Sequence, residues 1–331
     1  MFQFLSRLID DPDPVIIIPF GGYANNDKIF GQARVLEDEG ITHEEDDGFL
    51  KNLYNSYKRF ESDEKEGVVV TVTANELKTS LTSDAEGYVY LDEAYNANLL
   101  DEEWHPIHYS LTYSGEPFTI KDEILKPLPS AQYGIISDLD DTVIRTGISS
   151  AFKWKVVVNS FFKHSNQRMP LEGAQEFYQL LRKGISGNDK NPFFYLSNSP
   201  WNLYEYLMEF LKYQNFPKGV LLLRDIGLEN EKKQSFKEEN KYIKIAHILE
   251  SYPNLPFVLI GDAADLDHDI YSAIAETYTN RISAIYIRTT KDHLKMKRIK
   301  KRLEQKTHVP IQLINHTNEA VVHARANGLI N

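Results

Sequence analysis

Five short apolar runs dominate the second part of the chain: YGIIS (133–137), FFYLS (193–197), VLLLR (220–224), FVLIG (257–261) and AIYIR (284–288). Each is long enough for one strand, and none shows the polar alternation of a strand with one wet face. Near-continuous apolar strands belong to a sheet covered on both sides. Between them EFYQLLRK, WNLYEYLMEFLKY and KYIKIAHILESY repeat their apolar residues at helical spacing. Strands and helices in alternation predict an α/β fold with a doubly wound parallel sheet. Ligands of such sheets gather at the carboxyl ends of the strands, so the residues just after each run are where chemistry is expected.

The first 130 residues follow a different pattern. VIIIPF (15–20), GVVVTVTA (67–74), GYVYLD (87–92) and HYSLTY (108–113) are β-like runs separated by Gly, Asp, Asn and Pro turns. They predict a small, mainly-β sandwich. GFLKNLYNSYKRF (48–60) places Leu50, Leu53, Tyr54, Tyr57 and Phe60 on one helical face, an inserted helix. LKPLPSA (125–131) carries the two prolines of a linker. The expected organisation is therefore an acidic β-sandwich-like domain over 1–130 and an α/β domain over 131–331, consistent with about 100–200 residues per domain.

Charge divides at the same place. Residues 1–130 hold 26 Asp and Glu against 10 Lys and Arg, net −16, whereas residues 131–331 hold 22 against 27, net +5. An acidic front half argues against a general nucleic-acid binder. A mildly basic rear half suits a phosphate-bearing substrate, or the two halves simply have different solvated surfaces. With no cysteine, disulfide and thiolate chemistry are excluded and metal ligands are oxygen or His. The start has no basic stretch followed by an apolar one, and no apolar run approaches the roughly 18 residues of a membrane span. A soluble, cytoplasmic protein is expected.

The strand ends form a coherent set. After the first run come Asp138, Asp140, Asp141 and Thr142, and after the second Ser197, Asn198 and Ser199. The third ends in Arg224 and Asp225; the fourth in Gly261 and Asp262, with Asp265, Asp267 and Asp269 close behind. Lys241 opens the helical segment before the fourth run, with Lys244 three residues on. Carboxylates crowded at one sheet edge raise one another's pKa unless a cation is present. A hard divalent ion with oxygen ligands removes that penalty, and Mg²⁺ is the natural one where phosphate is the partner. Taken singly, each of these residues also fits a turn, a helix cap or a solvated face.

DLDDTV (138–143) after an apolar strand resembles the DxDxT motif of the haloacid dehalogenase superfamily of phosphohydrolases. FFYLS ending in Ser197 is similar to its second motif, Lys241 to its third and GDAADLD (261–267) to its fourth. YLSNSPWNLY (195–204), LLLRD (221–225), Gly261-Asp262 with Asp269-Ile-Tyr271, and AIYIR resemble more narrowly the catalytic domain of actin-patch phosphatidate phosphatases and their bacterial relatives. PFGGYANNDKIFGQARVL (19–36), FESDE and GYVYL extend the likeness into the front half. One departure is Ala263-Ala264-Asp265-Leu266, where the family pattern has Ser-Gly-x-His.

The resemblance implies a Mg²⁺-dependent phosphomonoesterase working through an aspartyl-phosphate, with phosphatidate as substrate. Asp138 would be the nucleophile and Asp140 the general acid and base. Asp138, the backbone carbonyl of Asp140 and Asp262 would hold Mg²⁺, with Asp267 in its first or second shell. Thr142, Ser197, Asn198 and Lys241 would bind phosphate oxygens. The alternatives are a soluble phosphomonoester as substrate, or a non-catalytic module that binds a phospho-ligand or partner. Residues 151–164, AFKWKVVVNSFFKH, interleave Phe152, Trp154, Phe161 and Phe162 with Lys153, Lys155 and Lys163. That composition suits peripheral contact with an anionic lipid surface, or a segment beside the core with snorkelling lysines. KDHLKMKRIKKRLEQK (291–306) is basic and reads as a solvated helical face.

Overall fold

The computed structural model describes residues 15–38, 63–96, 102–113, 115–139, 173–224, 240–263, 267–289, 293–306 and 309–331. The helix expected over 48–60, the segment 151–164 and residues Asp140, Asp141, Thr142, Asp225 and Asp265 lie outside them. The chain divides into two units, Met1–Lys126 and Pro127–Asn331.

Unit one contains β1 (Val15–Ala24), β2 (Lys28–Glu37), β3 (Val69–Ala74), β4 (Leu77–Thr82), β5 (Tyr88–Ala94), β6 (Trp104–Tyr113) and β7 (Glu116–Leu125). They form one seven-stranded sheet, ordered β4-β3-β6-β7-β1-β2-β5. This corrects the two-sheet sandwich. The four-stranded and three-stranded halves, each antiparallel within itself, are joined where β1 runs parallel to β7 at Gly22↔Ile124 and Tyr23↔Leu125. At the other margin Thr79 of β4 donates to Glu93 of β5 at 3.4 Å, so the sheet nearly closes on itself around Ile17, Ile29, Val72, Leu91, Ile107 and Ile124.

The bend that allows this is encoded in PFGGYA. Between Pro19 and Gly22 the β1/β2 register shifts, three steps on β1 opposing two on β2 from Ala33 to Gly31. Gly21 at the bulge takes φ 68°, a region open to glycine. Its amide donates instead to the Asp122 carboxylate of β7 at 2.6 Å. The bulge thus turns β1 from its hairpin partner onto β7.

Unit two contains β8 (Gly134–Asp138), α1 (Ala174–Lys183), β9 (Phe193–Pro200), a 3₁₀ turn (Trp201–Leu203), α2 (Tyr204–Tyr213), β10 (Val220–Arg224), α3 (Asn240–Ser251), β11 (Phe257–Asp262), α4 (Asp267–Thr277), β12 (Ile282–Arg288), α5 (His293–Lys306), β13 (Ile311–Ile314) and α6 (Thr317–Ala326). The five apolar runs become β8 to β12. All neighbours pair parallel in the order β10-β9-β8-β11-β12-β13. The sheet therefore grows outward in both directions from the β8/β11 pair. Consecutive strand residues point to opposite faces, and Ser137 meets Tyr178 of α1 while Asp138 meets Lys241 of α3. Helices accordingly cover both faces, which is why these strands are apolar throughout. No helix among the described residues is long and apolar enough to cross a membrane.

Candidate active site

In a sheet that winds outward both ways, the strand ends on either side of the reversal leave a crevice between the loops that diverge from them. Here the reversal lies between β8 and β11, and Asp138 and Asp262 are the last residues of those strands.

All five residues of β8 are buried. The Asp138 side chain is 1% exposed and its Oδ1 accepts from Lys241 Nζ at 2.8 Å. Lys241 is the second residue of α3, and its ammonium, 6% exposed, also reaches Asp267 Oδ1 at 2.5 Å. Asp267, fully buried, is the first residue of α4, where a carboxylate complements the positive end of the helix dipole. Its second oxygen accepts the Asp262 backbone N–H at 3.0 Å. Both oxygens of Asp267 are thus engaged, one fixing the lysine and one fixing the end of β11.

That arrangement depends on Gly261. A Cβ there would stand 2.3 Å from Asp267 Oδ2 and 2.8 Å from the Tyr271 ring, so the carboxylate can lie against β11 because position 261 has no side chain. Gly261→Ala is expected to destabilise the unit by about 1–3 kcal/mol through overpacking, measurable as a lower urea midpoint at unchanged slope. An unchanged midpoint would show that Asp267 does not need this approach.

One turn further along α4, Tyr271 donates to Ile260 O at 2.9 Å. Burial, reinforced by the Asp267 carboxylate, holds its phenol well above the ordinary tyrosine range, so it remains a donor and pins α4 to β11. On the opposite face Ser137 donates to the Asp138 carbonyl at 2.8 Å and hydrogen-bonds the Tyr178 hydroxyl at 2.7 Å. Burial raises Tyr178 in the same way. Tyr178 is not singled out by the sequence, and Gly261 and Tyr271 enter there only as motif residues with no role assigned; a glycine directly before a strand-end aspartate was the available signal for a close backbone approach.

Ser197 and Asn198 sit on an irregularity. Register runs from Leu222↔Leu196 to Arg224↔Pro200, so four steps on β9 oppose two on β10. The surplus is a bulge at the carboxyl edge, a placement common beside active sites. Ser197 is buried, donating to Ser199 Oγ at 2.8 Å and accepting the Ser199 N–H at 2.9 Å; Asn198 is exposed at the apex. Asp138 pairs in register with Leu196, which sets the bulge beside it.

The structure also separates the two candidate lysines. Lys244 donates to the Leu223 carbonyl of β10 and lies 5.9 Å from the centre of the Trp201 ring, away from the Asp138–Asp267 pair. Among the described residues no three acidic or histidine side chains form a ready-made metal cage. The donor chemistry nevertheless fits a hard divalent ion. Asp138 and Asp262 are buried oxygen donors at neighbouring strand ends, and three carboxylates with one bridging ammonium leave negative charge in excess. Mg²⁺ characteristically takes one or two carboxylates and completes its shell with water and substrate phosphate.

Residues 133–289 match the family described as "Phosphatidate phosphatase APP1, catalytic domain". The phosphatidate phosphatase APP1 of Saccharomyces cerevisiae is 28% identical over 262 residues, covering 76% of this chain and 41% of that protein. An uncharacterised protein of Schizosaccharomyces pombe is 26% identical over 219 residues, 63% of this chain and 34% of that protein. The matched part of this chain thus spans less than half the length of either relative. A solved carbohydrate acetylesterase from Xanthomonas citri superposes at TM-score 0.33 and 9% identity over 94% of this chain and 75% of that one, a likeness too slight to bear on fold or function.

Proposed function

We propose, from the match of residues 133–289 to the family described as the phosphatidate phosphatase APP1 catalytic domain, that this chain is a Mg²⁺-dependent phosphomonoesterase with a haloacid-dehalogenase-like catalytic unit, hydrolysing phosphatidate to diacylglycerol and phosphate. It would do so as a cytoplasmic protein that meets membranes peripherally. The observation that carries the reading is the buried Asp138 carboxylate at the end of the central strand, held 2.8 Å from the Lys241 ammonium. A carboxylate fixed by a neighbouring cation is ionised and aimed, as a nucleophile must be.

In the first half-reaction an Asp138 oxygen bonds to phosphorus while the bond from phosphorus to the glycerol oxygen breaks. Asp140 gives that leaving oxygen its proton. In the second, water adds to phosphorus and yields its proton to Asp140, the bond to Asp138 breaks, and inorganic phosphate leaves. Lys241, Thr142, Ser197 and Asn198 would hold the peripheral phosphoryl oxygens as charge develops on them. Asp267 keeps Lys241 in place. Asp138, the Asp140 carbonyl and Asp262 would hold Mg²⁺, with Asp267 beside them; the bound ion supplies positive charge to the nucleophile and the phosphoryl oxygens.

Phosphate release from phosphatidate in mixed micelles and from a panel of soluble phosphomonoesters, each with Mg²⁺ or with EDTA, tests the proposal. Expected are Mg²⁺-dependent release and a preference for phosphatidate. Turnover that survives EDTA would overturn the metal role, and turnover confined to soluble esters would overturn the substrate. Absence of turnover on every substrate would leave a phospho-ligand-binding module.

A further inference from the structure

The positive balance of residues 131–331, net +5, is concentrated in one element. Helix α5 holds seven Lys and Arg against one Glu, net +6, so the remainder of that half is close to neutral. The helix rests on Met296 and Ile299, both buried. Opposite them, at the i, i+3, i+4, i+7 positions of one stripe, lie Leu294, Lys297, Arg298 and Lys301. The three cations are exposed, and Leu294 is 71% exposed.

This charge works against the helix that carries it. The first turn contains no acidic residue, although the positive end of a helix dipole favours one. Lys297 and Lys301, and likewise Arg298 and Lys301, are like-charged neighbours that repel. An arrangement that is unfavourable in water becomes favourable against a surface of negative charge. Position supports the same conclusion. Arg288, the last residue of β12, stands in register beside Asp262. Five residues later α5 begins, so its first turn lies within about 17 Å of that strand end.

We propose that the Leu294–Lys297–Arg298–Lys301 face of α5 is a docking surface for anionic phospholipid bilayers, which brings the carboxyl edge of the sheet to its substrate. The inference rests on the lipid-phosphate reading of the site. Leu294 favours a bilayer over a nucleic acid, because an exposed apolar residue in the stripe can enter the headgroup boundary and gains nothing from a phosphate backbone.

Cosedimentation of the full chain with vesicles of phosphatidylcholine, alone or mixed with phosphatidylserine, tests the surface without turnover. The chain is expected to partition onto the anionic vesicles and to be released by salt. Replacing Lys297, Arg298 and Lys301 together by Gln is expected to weaken partitioning about a hundredfold, with hydrolysis of p-nitrophenyl phosphate unchanged and the melting temperature unchanged or slightly raised as the like-charge repulsion is relieved. Equal binding to both vesicle types, or undiminished binding by the triple variant, would overturn the proposal. So would tighter binding to polyuridylate than to anionic vesicles, which would assign the face to nucleic acid. Vesicle binding by a chain that hydrolyses no phosphomonoester upholds the surface and overturns the function proposed above; turnover without binding does the reverse.

Discussion

Asp138→Asn is expected to abolish phosphate release, lowering kcat by roughly 10⁴-fold or more, the scale seen when a covalent nucleophile is removed. The amide has nearly the shape of the carboxylate but lacks its charge and nucleophilicity. The folded state should lose little. Lys241 keeps Asp267 at 2.5 Å, so the buried ammonium remains paired, and the Asp138 backbone keeps its place between β9 and β11. Single-turnover measurement on phosphatidate, with thermal unfolding alongside, separates the two effects. A variant within tenfold of the parent rate would exclude Asp138 as the nucleophile, whatever its stability.

The other large effect concerns stability. Lys241→Met removes the cation between Asp138 and Asp267 and leaves two carboxylates buried without it. Stranding buried charge in this way costs about 3–5 kcal/mol. For a unit of this size that corresponds to a melting midpoint lower by roughly 10 °C. Lys244→Met is the control, because Lys244 bonds a backbone carbonyl near Trp201 instead; the expected loss there is about 1 kcal/mol. Because Lys241 and Asp138 touch, their effects should not add. Asp138→Asn in the Lys241→Met background is therefore expected to recover part of the lost stability. Equal midpoints for the Lys241 and Lys244 variants would show that the buried triad does not hold the sheet edge together.

How far these features could be read in advance follows from the range of the interactions that produce them. The runs that became β8 to β12 are apolar because helices cover both faces, and that pressure acts on each strand locally. β13 escaped because IQLI has four residues, three of them only partly buried. β4 escaped because none of its residues is buried, each being exposed or only partly covered. The curl of unit one is a long-range event. It depends on one bulge and on the approach of β1 to β7, a hundred residues apart, so separate β-like runs read equally well as a sandwich. At the site, Asp138, Ser197 and Asp262 could be placed because strand ends mark position along the chain. The family resemblance points to Lys241 over Lys244, whereas the residue pattern alone leaves both open, because the rotation of α3 about its axis is set only by packing. The bulge at Ser197–Ser199 exists only relative to β10, so no pattern within β9 announces it.

The two closures of the β unit differ from the ladders on either side of them. β6 and β7 pair over ten residues and β1 and β2 over most of their length, whereas the β1/β7 seam consists of two pairs and Thr79–Glu93 reaches across the opposite margin. Local opening follows the lines of weakest backbone pairing. The unit is therefore expected to open as a clamshell, its four-stranded and three-stranded valves parting along the seam while each keeps its own amide protection, so that exposure of the interior precedes the melting of either valve.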